Sequence, residues 1–102
     1  QEVLGWQLID VGAGPGTFSL AWKLMGGAGT PVMWESSKLM REQAQVLLGA
    51  LVGSEARFET GALGAEKRLL LFGHSANEMG AEEAWDFVKR ADPHLVLFIE
   101  PG

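Results

Sequence analysis

Near its start the chain reads Leu8-Ile9-Asp10-Val11-Gly12-Ala13-Gly14-Pro15-Gly16-Thr17-Phe18-Ser19-Leu20. Leu8, Ile9 and Val11 make the apolar run of a strand covered on both faces. Gly12, Gly14 and Gly16 lack Cβ, so the backbone can turn sharply there and another molecule can come close to it. Pro15 suits the first turn of a helix, where its missing N–H costs nothing. A strand, a glycine turn and a helix start leave free N–H groups and a positive dipole end facing whatever lies over the turn. This is the plan of a nucleotide-type site at the carboxyl end of a strand. The bland alternative is a tight turn that holds no ligand.

Strands and helices alternate along the rest of the chain. Strands are expected over 6–11, 31–35, 56–60, 68–73 and 94–100, the third of them weak. Helices are expected over 15–25, from Ser36 or Ser37 to about 51, and over 81–91. The first helix should turn Phe18, Leu20, Ala21, Leu24 and Met25 inward and leave Lys23 exposed. The second carries a stripe of Leu39, Met40, Ala44, Leu47, Leu48 and Leu51, and the third should bury Ala84, Trp85 and Val88. Such alternation predicts a parallel α/β sheet with right-handed crossovers. The order expected is 3-2-1-4-5, counting strands along the chain, with a ligand crevice between strands one and four. Seven residues, 61–67, must then carry the chain from strand three past two others. They span at most ~25 Å against ~14 Å sideways plus the return along the sheet. That loop is taut, strand three is vestigial, or the natural protein has residues that this chain lacks.

With 102 residues the chain holds one domain, and 47% hydrophobic residues suffice for a core. The net charge of −5 argues against a stand-alone nucleic-acid binder, which would show a basic face. Cysteine is absent, which excludes disulfides, thiolate metal sites and a cysteine nucleophile. No run is long and apolar enough to span a membrane, and no basic-then-apolar stretch of the signal-peptide kind is read in the first residues given. No spacing of His, Asp and Glu suggests a metal site.

A dinucleotide fingerprint, Gly-x-Gly-x-x-Gly, would need glycine where Thr17 stands. The run Asp10-Val11-Gly12-Ala13-Gly14-Pro15-Gly16 instead resembles motif I of class I S-adenosylmethionine (SAM)-dependent methyltransferases. That resemblance implies a three-layer Rossmann-like fold, with Asp10, Gly12, Ala13, Gly14, Pro15 and Gly16 along the methionine part and ribose of SAM. Glu35 ends the second strand, where an acidic residue takes both ribose hydroxyls; it could equally be a carboxylate favoured by the following helix dipole. Glu59, with Thr60 as competitor, falls where such folds place a contact to the adenine amino group. The same resemblance implies that Gly73 and the loop after it would face the methyl group. There His74 could act as a base, and Asn77 and Glu78 could orient an acceptor or simply cap the next helix. The Asp/Asn-Pro-Pro-aromatic motif of many amino-methylating enzymes is absent. His94 reads as structural.

Residues 71–80, Leu-Phe-Gly-His-Ser-Ala-Asn-Glu-Met-Gly, and 96–102, Val-Leu-Phe-Ile-Glu-Pro-Gly, narrow the likeness. They resemble the methyltransferase-like family associated with the mitochondrial small ribosomal subunit and its bacterial relatives. This implies SAM as cofactor, ribosomal RNA or the small subunit as partner, and a cytoplasmic or mitochondrial-matrix location. Family members are longer and carry iron–sulfur cysteines that this chain lacks, so the expectation is a single core that is a fragment or minimised version, its sheet truncated before the last two strands. An rRNA methyltransferase, a non-catalytic assembly scaffold and an NAD-type domain are the three readings carried forward. The apolar edge at 95–99 invites pairing with a second copy.

Overall fold

The computed structural model describes residues 3–54, 67–73 and 80–99. After a 3₁₀ turn at Val3–Gly5, the elements are β1 (Gln7–Val11), α1 (Thr17–Leu24), β2 (Val32–Trp34), α2 (Lys38–Val52), β3 (Arg68–Phe72), α3 (Ala81–Ala91) and β4 (Leu95–Phe98). All strand pairs are parallel, in the order β2-β1-β3-β4. This is the expected 2-1-4-5 part of the sheet; the weak strand at 56–60 and the loop at 61–67 fall almost wholly outside the described residues.

The layers follow from the side-chain alternation of each strand. Ile9, Val11, Val32, Trp34, Leu70 and Phe72 face α3, which covers them with Ala84, Phe87, Val88 and Ala91. Leu8, Leu69 and Leu71 face the other way, onto Trp22 and Phe18 of α1. Met33 packs with Ala44 and Leu48 of α2 and with Ala13. The sheet is therefore sandwiched, with α1 and α2 on one face and α3 on the other. Among the described residues no helix is long and apolar enough to cross a membrane.

Three helix faces depart from expectation. In α1 the buried residues are Ser19 and Trp22, while Ala21 is exposed and Leu24 and Met25 stand 67% and 63% exposed. The helix starts two residues later than 15, and it is rotated so that Ser19 meets Asp10. Trp22 then fills the space above Gly27, where an added Cβ would collide with the indole nitrogen. Lys23 is half-buried and donates to the carbonyls of Gly27 and Gly29 at 2.9 and 2.8 Å. In α2, Ala44 and Leu48 are buried, but Leu39 and Leu51 are exposed, because one contact line to Met33 needs only a narrow stripe. In α3, Trp85 is 59% exposed and Phe87 takes the inward place, since 84, 87, 88 and 91 share a helical face and 85 does not.

The ends of the elements are secured locally. Ser37 caps α2, its hydroxyl accepting from the Met40 amide at 3.2 Å. Arg68 donates through Nε to Ala91 O at 2.7 Å and through Nη2 to Asp92 O at 2.8 Å, closing the carboxyl end of α3. His94 exchanges hydrogen bonds with the Arg68 backbone and lies edge-on to Trp6, the structural place expected of it. Among the described residues strand β4 is a sheet edge, with Leu97 and Phe98 42% and 56% exposed.

Candidate functional site

The strand register brings the site together. Val11 pairs with Trp34 on one side and Phe72 on the other. The residues that follow, the Gly12 turn, Glu35 and Gly73, therefore emerge at the same end of the sheet. Strand β1 lies between β2 and β3, so the chain leaves it in opposite directions around this point. That is the switch point at which open α/β sheets hold their ligands.

The turn itself needs glycine. Gly12, Gly14 and Gly16 have φ of 64°, 58° and 87°, a left-handed region that residues with a Cβ enter only with strain. Gly12 N donates to Trp34 O at 2.7 Å, and Gly16 N donates to Ala13 O at 3.0 Å. Gly16 is the N-cap of α1 and offers no side-chain cap to the helix N–H groups. Its α-carbon abuts α2: a Cβ there would lie 3.1 Å from Ala44 Cβ. Ala13 points into the core and Pro15 outward, outside the helix. Above Gly14 there is room, since an added Cβ would meet no atom within 4 Å.

Glu35 belongs to this turn by direct bonding. Its Oε1 accepts the Gly14 amide at 2.7 Å and its Oε2 accepts the Ser37 amide at 2.9 Å. The carboxylate thus combines the helix-start role with a position over the glycine turn. Gly73 closes the β3 side, where a Cβ would lie 2.8 Å from Phe18 Cε2. Glycine there lets the Phe18 ring press against the β3 end.

Asp10 lies beneath the turn with no accessible surface. Its Oδ2 accepts the Ser19 hydroxyl at 2.8 Å, while Oδ1 has no partner among the described residues. Burial pushes its carboxyl up to about 6; hydrogen bonds from Ser19 oppose the rise, and the charge of Glu35 adds to it. Ser19 is a site residue that hydrophobic patterning misses, because it is buried through a polar bond. The available signal was a small hydroxyl nine residues after a strand aspartate.

The structure brings Asp10, Gly12, Ala13, Gly14, Gly16, Glu35 and Gly73 into one neighbourhood, with Pro15 on its rim. Glu59, His74, Asn77 and Glu78 lie outside the described residues.

No family model and no curated protein matches the sequence. Solved structures do match the fold. The ribosomal protein L11 methylase of Lactobacillus delbrueckii subsp. bulgaricus aligns with a TM-score of 0.63 at 19% identity, over 92% of this chain and 50% of that one. The magnesium protoporphyrin IX methyltransferase of Synechocystis PCC 6803, solved with bound SAM, aligns at 0.63 and 19% over 91% and 48%. A SAM-dependent methyltransferase of Thiobacillus denitrificans, in complex with S-adenosylhomocysteine, aligns at 0.56 and 22% over 96% and 39%. The chain spans half or less of the length of each. It shares with them a Rossmann-like parallel α/β fold.

Proposed function

We propose that this chain is the SAM-binding core of a methyltransferase-like protein. The observation that carries the reading is the left-handed glycine turn at the switch point, open above Gly14 and tied to the Glu35 carboxylate. The residues suit SAM better than a dinucleotide. The dinucleotide fingerprint needs a third glycine where Thr17 stands. The Glu35 carboxylate can accept from a ribose diol, which either cofactor offers. Gly12 and Gly14 would let the ligand lie close to the backbone, with Glu35 on its hydroxyls. Asp10, which has no accessible surface, would act from below through Ser19 and the α1 start.

When bound, SAM supplies a methyl group on a sulfonium, ready for in-line displacement. The chain's part is to position and to exclude water. His74, Asn77 and Glu78 are the candidates to receive or orient the acceptor, Glu59 to contact adenine. Ribosomal RNA, within small-subunit assembly, is the acceptor class suggested by 71–80 and 96–102. The whole chain is read as one domain of a longer protein, in keeping with its coverage of half or less of the matched structures. A second copy pairing along the exposed β4 edge is part of the same proposal.

Calorimetric titration with SAM and S-adenosylhomocysteine tests the core claim, with Gly14→Val as control. Binding to the native chain and none to the variant is expected. Tighter binding of NAD, or none of SAM by the folded chain, would overturn it. Methyl transfer to small-subunit RNA by the full-length protein, lost in Gly14→Val, tests the acceptor; small-subunit association that survives Gly14→Val, without transfer, favours the scaffold reading.

A further inference from the structure

The Glu35 carboxylate bonds to two segments at once. One oxygen holds the Gly14 amide at 2.7 Å, and the other holds the Ser37 amide at 2.9 Å. Ser37 in turn accepts the Met40 amide at 3.2 Å. Arg41, in the first turn of α2, donates back to Glu35 O and Ser36 O, both at 2.9 Å. Residues 35–41 are therefore knotted to one another, and the only side-chain bond described from this knot to the glycine turn is that of Glu35. Beside it stand the Gly12 N–Trp34 O backbone bond at 2.7 Å and the steric contact of Gly16 with Ala44.

We infer that Glu35 is a latch that makes the glycine turn and the amino end of α2 one mechanical unit, so that occupancy of the turn is transmitted to α2. Gly14 makes this consequential. Its φ of 58° is one of several conformations open to a glycine, so the bond to Glu35 helps to select it, and an unobstructed space lies above it. With the carboxylate engaged, the free chain already holds the turn in shape. A ligand whose hydroxyls draw on Glu35 must share or displace those two N–H bonds, and the Ser37 cap feels the exchange. Glu35 is in this respect a positioning residue, acting through the Gly14 and Ser37 amides. The tie rests on bonds within the chain, whatever ligand the turn takes.

Amide hydrogen exchange, read by NMR on the ligand-free chain, tests the latch separately from ligand identity. Native chain should protect the Gly14 and Ser37 amides together. Glu35→Gln, which keeps one acceptor oxygen and turns the other into a donor, should speed exchange at one or both by roughly tenfold, the scale of one lost hydrogen bond. Glu35→Ala should release both, with the Ile9 and Leu70 amides unchanged. A through-bond coupling from the Gly14 nitrogen to the Glu35 carboxylate carbon gives a reading on the native chain alone, should a variant not fold. Adding SAM to the native chain should then move the Ser37 and Met40 amide signals, and do so less in Glu35→Ala. Fast Gly14 exchange in the native chain, absence of the coupling, or Gly14 and Ser37 responding independently in Glu35→Ala would overturn the latch. Absence of SAM binding beside an intact latch would overturn only the cofactor reading.

Discussion

Asp10 gives one carboxylate oxygen to the Ser19 hydroxyl at 2.8 Å and leaves the other without a partner among the described residues. A carboxylate so placed is stable only at a cost. Its carboxyl rises from an ordinary 3.8 to about 6, because burial disfavours the charge more than Ser19 favours it. The folded chain then holds this proton more tightly than the unfolded chain does. Between about pH 4 and pH 6 the native state binds more protons, so this group's contribution to stability falls as pH rises through that window. Above about 6 the loss is complete, roughly 3 kcal/mol. Urea unfolding as a function of pH should show the decline, and Asp10→Asn should flatten it. A native profile parallel to that of Asp10→Asn would refute the assignment.

Ser19→Ala should separate the hydrogen bond from the burial. Removing the donor strands a carboxylate, which costs roughly 1–3 kcal/mol. The penalty should be larger at pH 7.5, where Asp10 is charged, than at pH 4, where it is protonated. Equal penalties at both values, from denaturant midpoints, would show that the hydroxyl serves packing alone.

Gly73→Ala places a methyl 2.8 Å from the Phe18 ring. Overpacking of this kind typically costs about 1–3 kcal/mol. Phe18→Leu in the same chain should recover part of the loss, because the smaller side chain vacates the contact. Strict additivity of the two changes in thermal unfolding would place the strain elsewhere.

The β4 edge should associate. Leu97→Lys puts a charge where an edge strand would pair, at a residue 42% exposed. Native chain should grow in apparent mass with concentration by light scattering, and the variant should stay monomeric. A native chain that is monomeric at high concentration would remove the proposal of a second copy.

The glycine turn and the buried strands were legible because each is a short-range signal, and the order of the described strands followed from strand–helix alternation and the switch-point plan that such a turn implies. Buried parallel strands leave unbroken apolar runs, as in Leu69-Leu70-Leu71-Phe72, and left-handed turns demand glycine. The inward faces of the helices were less legible. Hydrophobicity alone favours Leu24 and Met25 over Ser19, yet Ser19 is inside because Asp10 is there to meet it. Trp85 and Phe87 are equally apolar, and only the phase of α3 on the sheet chooses between them. Glu35 was marked as a site residue from its place after a strand. That it binds Gly14 rather than standing free depends on register between β1 and β2, which the sequence carries only indirectly.

The Trp22 indole occupies the space that a side chain at position 27 would need. Trp22 and Trp34 are buried, and Trp85 looks into solvent. The chain thus carries its own optical reporter of helix docking. Replacing Trp6, Trp34 and Trp85 by phenylalanine would leave Trp22 as the sole indole, emitting from a dry environment while α1 lies on the sheet. Its emission would move to longer wavelength when that helix lifts. Since α1 begins at the glycine turn, the colour of one tryptophan would report, in real time, whether the floor of the candidate site is in place.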